Sequence, residues 1–99
     1  MSNEGVGSGG QRLRHSEHVV SSRLGDAGVL VHLRTNQIFE LNATGVRIWE
    51  LIGEGSSVEE IERRLAAEFD VDAHKVHEEV SDLVGALARE GLLDVCASD

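Results

Sequence analysis

The hydrophobic pattern of the chain changes period once, between Leu41 and Asn42, and that switch constrains the fold more than any other feature. Upstream, Gln37-Ile38-Phe39-Glu40-Leu41 alternates with period two, which places Phe39 and Leu41 on one face of a strand and Ile38 and Glu40 on the other. Downstream, Val46, Trp49 and Ile52, with Ile48 beside them, recur at helical spacing as far as Gly53 or Gly55. Asn42 stands at the switch as a good helix N-cap. Strands come first and helices second, which is an α+β order rather than an alternating one.

The strands before the switch are short. Val19 and Val20 belong to a β-branched stretch that ends at the turn signal Gly25-Asp26, and Gly28-Val29-Leu30-Val31-His32-Leu33 is apolar almost throughout, like a covered strand. Arg34-Thr35-Asn36 reads as a tight turn, because Asn tolerates positive φ. Three antiparallel strands result. After the first helix, Ser57-Val58-Glu59-Glu60 has the form of a capping box and opens a second helix to about Phe69, with Val58, Ile61, Leu65 and Phe69 facing inward. Asp72 caps a third, which ends at Gly91. On it Val76, Val80, Leu83 and Leu87 form an apolar stripe, with Val84 on the margin, while Lys75, Glu78, Asp82 and Arg89 point away. Leu92-Leu93-Asp94-Val95 reads as an extended tail docked on the domain. The order β-β-β-α-α-α, with no proline and no internal repeat, predicts a winged helix-turn-helix-like domain over residues 13–96. Residues 1–12, rich in Gly and Ser, read as a flexible tail.

Charge and composition narrow the function. Eighteen Asp and Glu against nine Lys and Arg give a formal net charge of −9. Such a chain repels phosphate backbones and anionic membranes. The aromatics are Phe39, Trp49 and Phe69, too few for a base-stacking platform. The single cysteine, Cys96, excludes a disulfide framework and fits a cytoplasmic setting, as does the lack of a signal peptide or of any run long enough to span a membrane.

No residue pattern points to catalysis. Cys96 lies near the C-terminus with no base placed beside it, and the carboxylates sit at helix starts and on helical faces, where they complement the macrodipole or solvate the surface. The chain therefore reads as a non-enzyme without cofactor. His74 and His77 are three apart and can share one side of a helix, yet two histidines make at most half a zinc site. The run Gly5-Val6-Gly7-Ser8-Gly9-Gly10 lacks both the preceding strand and the following Lys-Ser/Thr of a phosphate loop. A winged-helix DNA-binding regulator is the alternative, but its last helix would offer Lys75 and Arg89 against Glu78, Glu79, Asp82 and Glu90. Peptide binding by strand addition to the Gln37–Leu41 edge stands level with a short edge protected by Glu40. Pairing of that edge between two copies would give a homodimer that competes with a peptide.

A resemblance favours the first of these. The stretch from Gly28 to Ile52, with Leu41-Asn42, Gly45 and Ile48-Trp49, resembles the PqqD family, as do Ser57-Val-Glu-Glu-Ile, Leu65, Phe69-Asp70-Val71 and the ending from Leu87 to Leu92. It covers roughly Arg14 to Val95. The resemblance implies a peptide chaperone, or RiPP recognition element, that binds the leader of a ribosomally made precursor peptide as an added antiparallel strand and presents it to modifying enzymes. On this chain the backbone partners would be Gln37, Ile38, Phe39, Glu40 and Leu41. The groove wall would come from Val76, Val80, Leu83 and Leu87, with Lys75, Glu79 and Asp82 selecting leader charges. The family serves pyrroloquinoline quinone synthesis, beside a radical enzyme, and other peptide pathways; a lasso-peptide partner working with a leader peptidase and a cyclase is the second specific expectation.

Overall fold

The computed structural model describes residues 12–96. The elements are β1 (Arg12–His15), β2 (Val19–Leu24), β3 (Ala27–His32), β4 (Ile38–Leu41), α1 (Ala43–Gly53), α2 (Val58–Phe69), α3 (Ala73–Arg89) and β5 (Leu93–Cys96). β2, β3 and β4 form an antiparallel sheet in that order, the three strands expected from the sequence. Gly25-Asp26 closes the first hairpin, with Gly25 at φ 63°, and Asn36 turns the second at φ 62°.

The helix boundaries follow from local chemistry. Asn42 accepts the Gly45 amide at 2.8 Å, and Ser57 and Glu60 complete the reciprocal capping box. Asp72 occupies the N-cap of α3 without a side-chain cap bond. At the far end Gly91 takes φ 77°, so the Gly91 and Leu92 amides reach back to the carbonyls of Ala88 and Leu87 at 3.1 and 2.8 Å. That Schellman closure folds Leu92 back beneath α3.

Two strands were not legible as a pair. The extended tail after Leu92 is β5, and it pairs antiparallel with β1, Leu13 opposite Val95 and His15 opposite Leu93. β1 is pinned to α1 by His15, whose ring stacks on Trp49 at 3.6 Å between centroids and 3° between planes. His15 Nε2–H donates to the Trp49 carbonyl at 2.8 Å. A Cβ on Gly53 would lie 2.8 Å from the His15 ring, so glycine is needed there for close approach.

The core lies between the inner sheet face and the three helices. Leu30, Ile48, Leu51, Ile52, Ile61, Leu65, Val80, Leu87 and Leu92 are fully enclosed, each worth about 1.5–3 kcal/mol of burial. Phe69 departs from the expected inward set: it is 41 % exposed, because α2 ends there and Asp70 turns the chain in the left-handed region at φ 52°. Arg47 joins α1 to α2 by a two-pronged bond to Glu68, at 2.9 and 3.0 Å. No helix among the described residues is long and apolar enough to cross a membrane.

Candidate functional site

β4 is an edge. Among the described residues only β3 pairs with it. The ladder fixes which of its backbone groups are free. His32 N–H donates to the Gln37 carbonyl at 2.9 Å, so Gln37, Phe39 and Leu41 direct their backbone groups toward β3. Ile38 and Glu40 alternate with them, and their N–H and C=O groups face outward. The side chains alternate too: Leu41 is buried, Phe39 is half-buried, and Ile38 (67 % exposed) and Glu40 lie on the opposite face.

Alongside this edge runs α3. A groove of about 320 Å³ lies between Glu40, Leu41 and Asn42 on one side and Glu79, Asp82 and Leu83 on the other, with Thr44, Gly45 and Ile48 of α1 at its base. A second, separate hollow of about 240 Å³ lies at the other end of the strand, between Gln37-Ile38-Phe39 and Glu90 with Leu92. The start of β4 thus faces the end of α3, and its end faces the middle of α3. Gly45 lets the first turn of α1 sit close against the end of β4, since a Cβ there would stand 3.2 Å from the Leu41 side chain.

The stripe on α3 divides between two tasks. Val76, Val80 and Leu87 are buried in the core and hold the helix in place, so they do not present side chains to the groove as a wall. Leu83 is half-buried and faces it. Counting about 100° per residue, Glu79, Leu83 and Glu90 fall within roughly 40° of one another on one flank of the stripe. Asp82 and Lys75 lie further round; Asp82 reaches the groove rim, whereas Lys75 is exposed on the first turn. The groove is therefore apolar at its base and acidic at its rim. Sequence reasoning missed Asn42, Thr44, Gly45, Ile48, Glu90 and Leu92 as groove residues. The only signal for the last two was Gly91, whose turn sets them at the end of the strand.

The two histidines of α3 each lie beside a carboxylate. His77 Nδ1 meets Glu62 of α2 at 2.8 Å, and His74 Nε2 lies 3.5 Å from Glu78, so each has its own carboxylate. No group of three or more His, Cys, Asp or Glu suited to a metal occurs among the described residues.

Fold and site together define a small winged-helix-like α+β module whose sheet ends in an open, helix-walled edge. The chain belongs to the PqqD family: the model for coenzyme PQQ synthesis protein D matches residues 27–93. It is similar to the solved structure of TbiB1 in complex with the TbiA(beta) leader peptide, at 42 % identity, covering 82 % of this chain and 94 % of that one, with a TM-score of 0.76. The fold also matches lasso peptide synthetase B1 complexed with the leader peptide, at 22 % identity over 86 % of this chain and 98 % of that one, with a TM-score of 0.73. Among curated proteins none matches the chain.

Proposed function

We propose that the chain binds the leader segment of a ribosomally synthesised precursor peptide and presents it to the modifying enzymes of a peptide natural-product pathway, acting in the cytoplasm with no active site or cofactor of its own. The observation that carries this is the free β4 edge with two hollows along it, one at each end of the strand, both walled by residues of α3 or the turn that ends it. An extended peptide antiparallel to β4 exchanges backbone hydrogen bonds with Ile38 and Glu40, while Gln37, Phe39 and Leu41 keep the edge joined to β3. Its N-terminal half then lies at Leu83, Glu79 and Asp82, and its C-terminal half leaves past Glu90 and Leu92. The apolar base and acidic rim suit leader residues with long apolar stems and cationic tips, such as Lys and Arg.

The pathway we favour is of the lasso-peptide kind, with a leader peptidase and a cyclase as the enzymes served. Support comes from the two structural neighbours, both solved with leader peptides, one of them a lasso peptide synthetase component. A pyrroloquinoline quinone-type pathway with a radical enzyme is the family's other setting. Duplex binding has no support from either neighbour, and the charged residues exposed on α3 are Glu78, Glu79 and Asp82 against Lys75 and Arg89.

Fluorescence polarisation with two labelled probes tests the reading: the leader of the precursor peptide encoded beside this protein, and a random DNA duplex. Saturable binding of the leader alone, with modest salt dependence, is expected. Steep salt-dependent binding of the duplex alone overturns the proposal. So does binding of neither probe with the pathway enzymes present.

A further inference from the structure

Among the described residues the sheet has a second free edge, β2, and it is built differently. Proteins blunt exposed edges with short strands, proline, lysine or bulges. β2 has none of these: all six of its residues pair in unbroken register with β3, and five of the six are exposed. Its one guard of another kind is an inward-pointing charge, Arg23, and that charge is neutralised by Glu50 of α1 at 2.7 Å.

The ladder again identifies the free backbone groups. Leu33 N–H donates to the His18 carbonyl, so His18, Val20, Ser22 and Leu24 bond β3, and Val19, Ser21 and Arg23 face outward. We infer that β2 pairs with β2 of a second copy about a two-fold axis through Ser22, giving a six-stranded antiparallel sheet. An antiparallel partner must place residues of the same face opposite one another, so the axis passes through a residue. Centring on Ser22 sets Val20, 49 % exposed, against Leu24 of the second copy, 65 % exposed, twice over. Ser21 then meets Arg23 in two hydrogen-bonded pairs, and Ser22 meets itself in a non-hydrogen-bonded pair. Centring on Ser21 puts Val20 opposite Ser22 and Leu24 opposite His18. Centring on Arg23 sets two like charges together. Centring on Val20 or on Leu24 sets that residue against itself but gives the other no apolar partner, so only the Ser22 register pairs both apolar residues without repulsion, and self-complementarity of this sort is what an isologous interface requires. β4 takes no part, so two such chains keep both of their β4 grooves.

A single strand pair is a small interface, so association is expected to be concentration-dependent. Sedimentation equilibrium on the full chain is expected to show the mass rise from 10.7 kDa toward twice that value as concentration increases. Ser22→Arg, which faces solvent in the single chain, should hold it at 10.7 kDa with an unchanged circular dichroism spectrum. Two cysteine variants in a Cys96→Ser background fix the register. In a non-hydrogen-bonded pair the Cα atoms are about 4.5 Å apart, within disulfide range, so Ser22→Cys should cross-link under mild oxidation at least ~10-fold more than Ser21→Cys. A chain that stays at one mass to millimolar concentration overturns the proposal, as does a dimer indifferent to Ser22→Arg, or equal cross-linking of the two variants. A dimer dispersed by saturating leader peptide would mean that β4, not β2, is the edge that pairs.

Discussion

The two edges of one sheet face opposite fates. Beside β2, the gap to α1 is spanned by the Arg23–Glu50 ion pair, which covers a hollow of about 170 Å³ against Leu30, Val46 and Trp49. A chain of charges continues from it: Glu50 bonds Arg47 at 3.2 Å, and Arg47 bonds Glu68 on α2. Beside β4, no described ion pair spans the gap to α3. The grooves there are larger, and the carboxylates on their α3 side (Glu79, Asp82, Glu90) face no described cation across the gap. An edge latched to its helix offers an added strand its backbone but no groove for side chains, whereas one separated from its helix by acidic hollows offers both. The difference lies in side chains, not topology, and can be broken one residue at a time.

The largest effect is expected on the core side of α3. Leu87→Ala should destabilise the fold by about 2–5 kcal/mol, read as a lowered urea midpoint, because Leu87 is fully enclosed and its removal leaves a cavity. Leu83→Ala, four residues earlier and half-buried at the edge of the core, should lower the midpoint by well under the Leu87→Ala loss and weaken leader binding on the order of tenfold, about 1.4 kcal/mol. If both variants lost stability equally, α3 would have no groove face distinct from its core face.

A matched pair of proline variants separates the edges themselves. Ile38→Pro removes an outward N–H from β4, and Ser21→Pro removes one from β2, so neither touches the ladder to β3. Leader affinity by polarisation should fall about tenfold for Ile38→Pro and stay unchanged for Ser21→Pro, while sedimentation should show the reverse pattern. Phe39→Pro is not equivalent: the Phe39 N–H points toward β3, and its loss would damage the sheet before it reported on a peptide.

Much of this was legible in advance because it is local. Asn42, the Ser57–Glu60 box and Gly91 set the helix ends through bonds within a few residues, and period alone separated Phe39 and Leu41 from Ile38 and Glu40. The β1–β5 pair was not legible. Arg12-Leu13-Arg14-His15 offers one apolar residue, and its partner lies some eighty residues away, so no period in either segment announces the pairing. The site divides in the same way. Helical spacing put Leu83 in one stripe with Val80 and Leu87, but only the position of β4 decides that Leu83 lines a groove while the other two fill the core. Glu90 and Leu92 joined the site through a turn whose direction only the packed structure reveals.

The smallest expected effect concerns the latch. The bond from Arg47 holds the Glu68 carboxyl below its ordinary value near 4.5, against a weaker opposing push from desolvation. A carboxylate with a depressed pKa contributes stability above the unfolded value, and that contribution is lost as pH falls through the folded one. Wild type should therefore be slightly more stable than Glu68→Gln at neutral pH, with the difference in thermal midpoint closing as pH drops below about 4.5. The pair is exposed and screened by salt, so the gap should also shrink at high ionic strength. Leader affinity should not differ between wild type and Glu68→Gln at any of these pH values, since Glu68 lies on the β2 side of the molecule's charge network and the groove lies along β4. A leader affinity that tracked the Glu68 titration would mean that the latch and the groove are coupled through α1, whose Asn42–Ile48 end forms the groove base and whose Arg47 holds the latch.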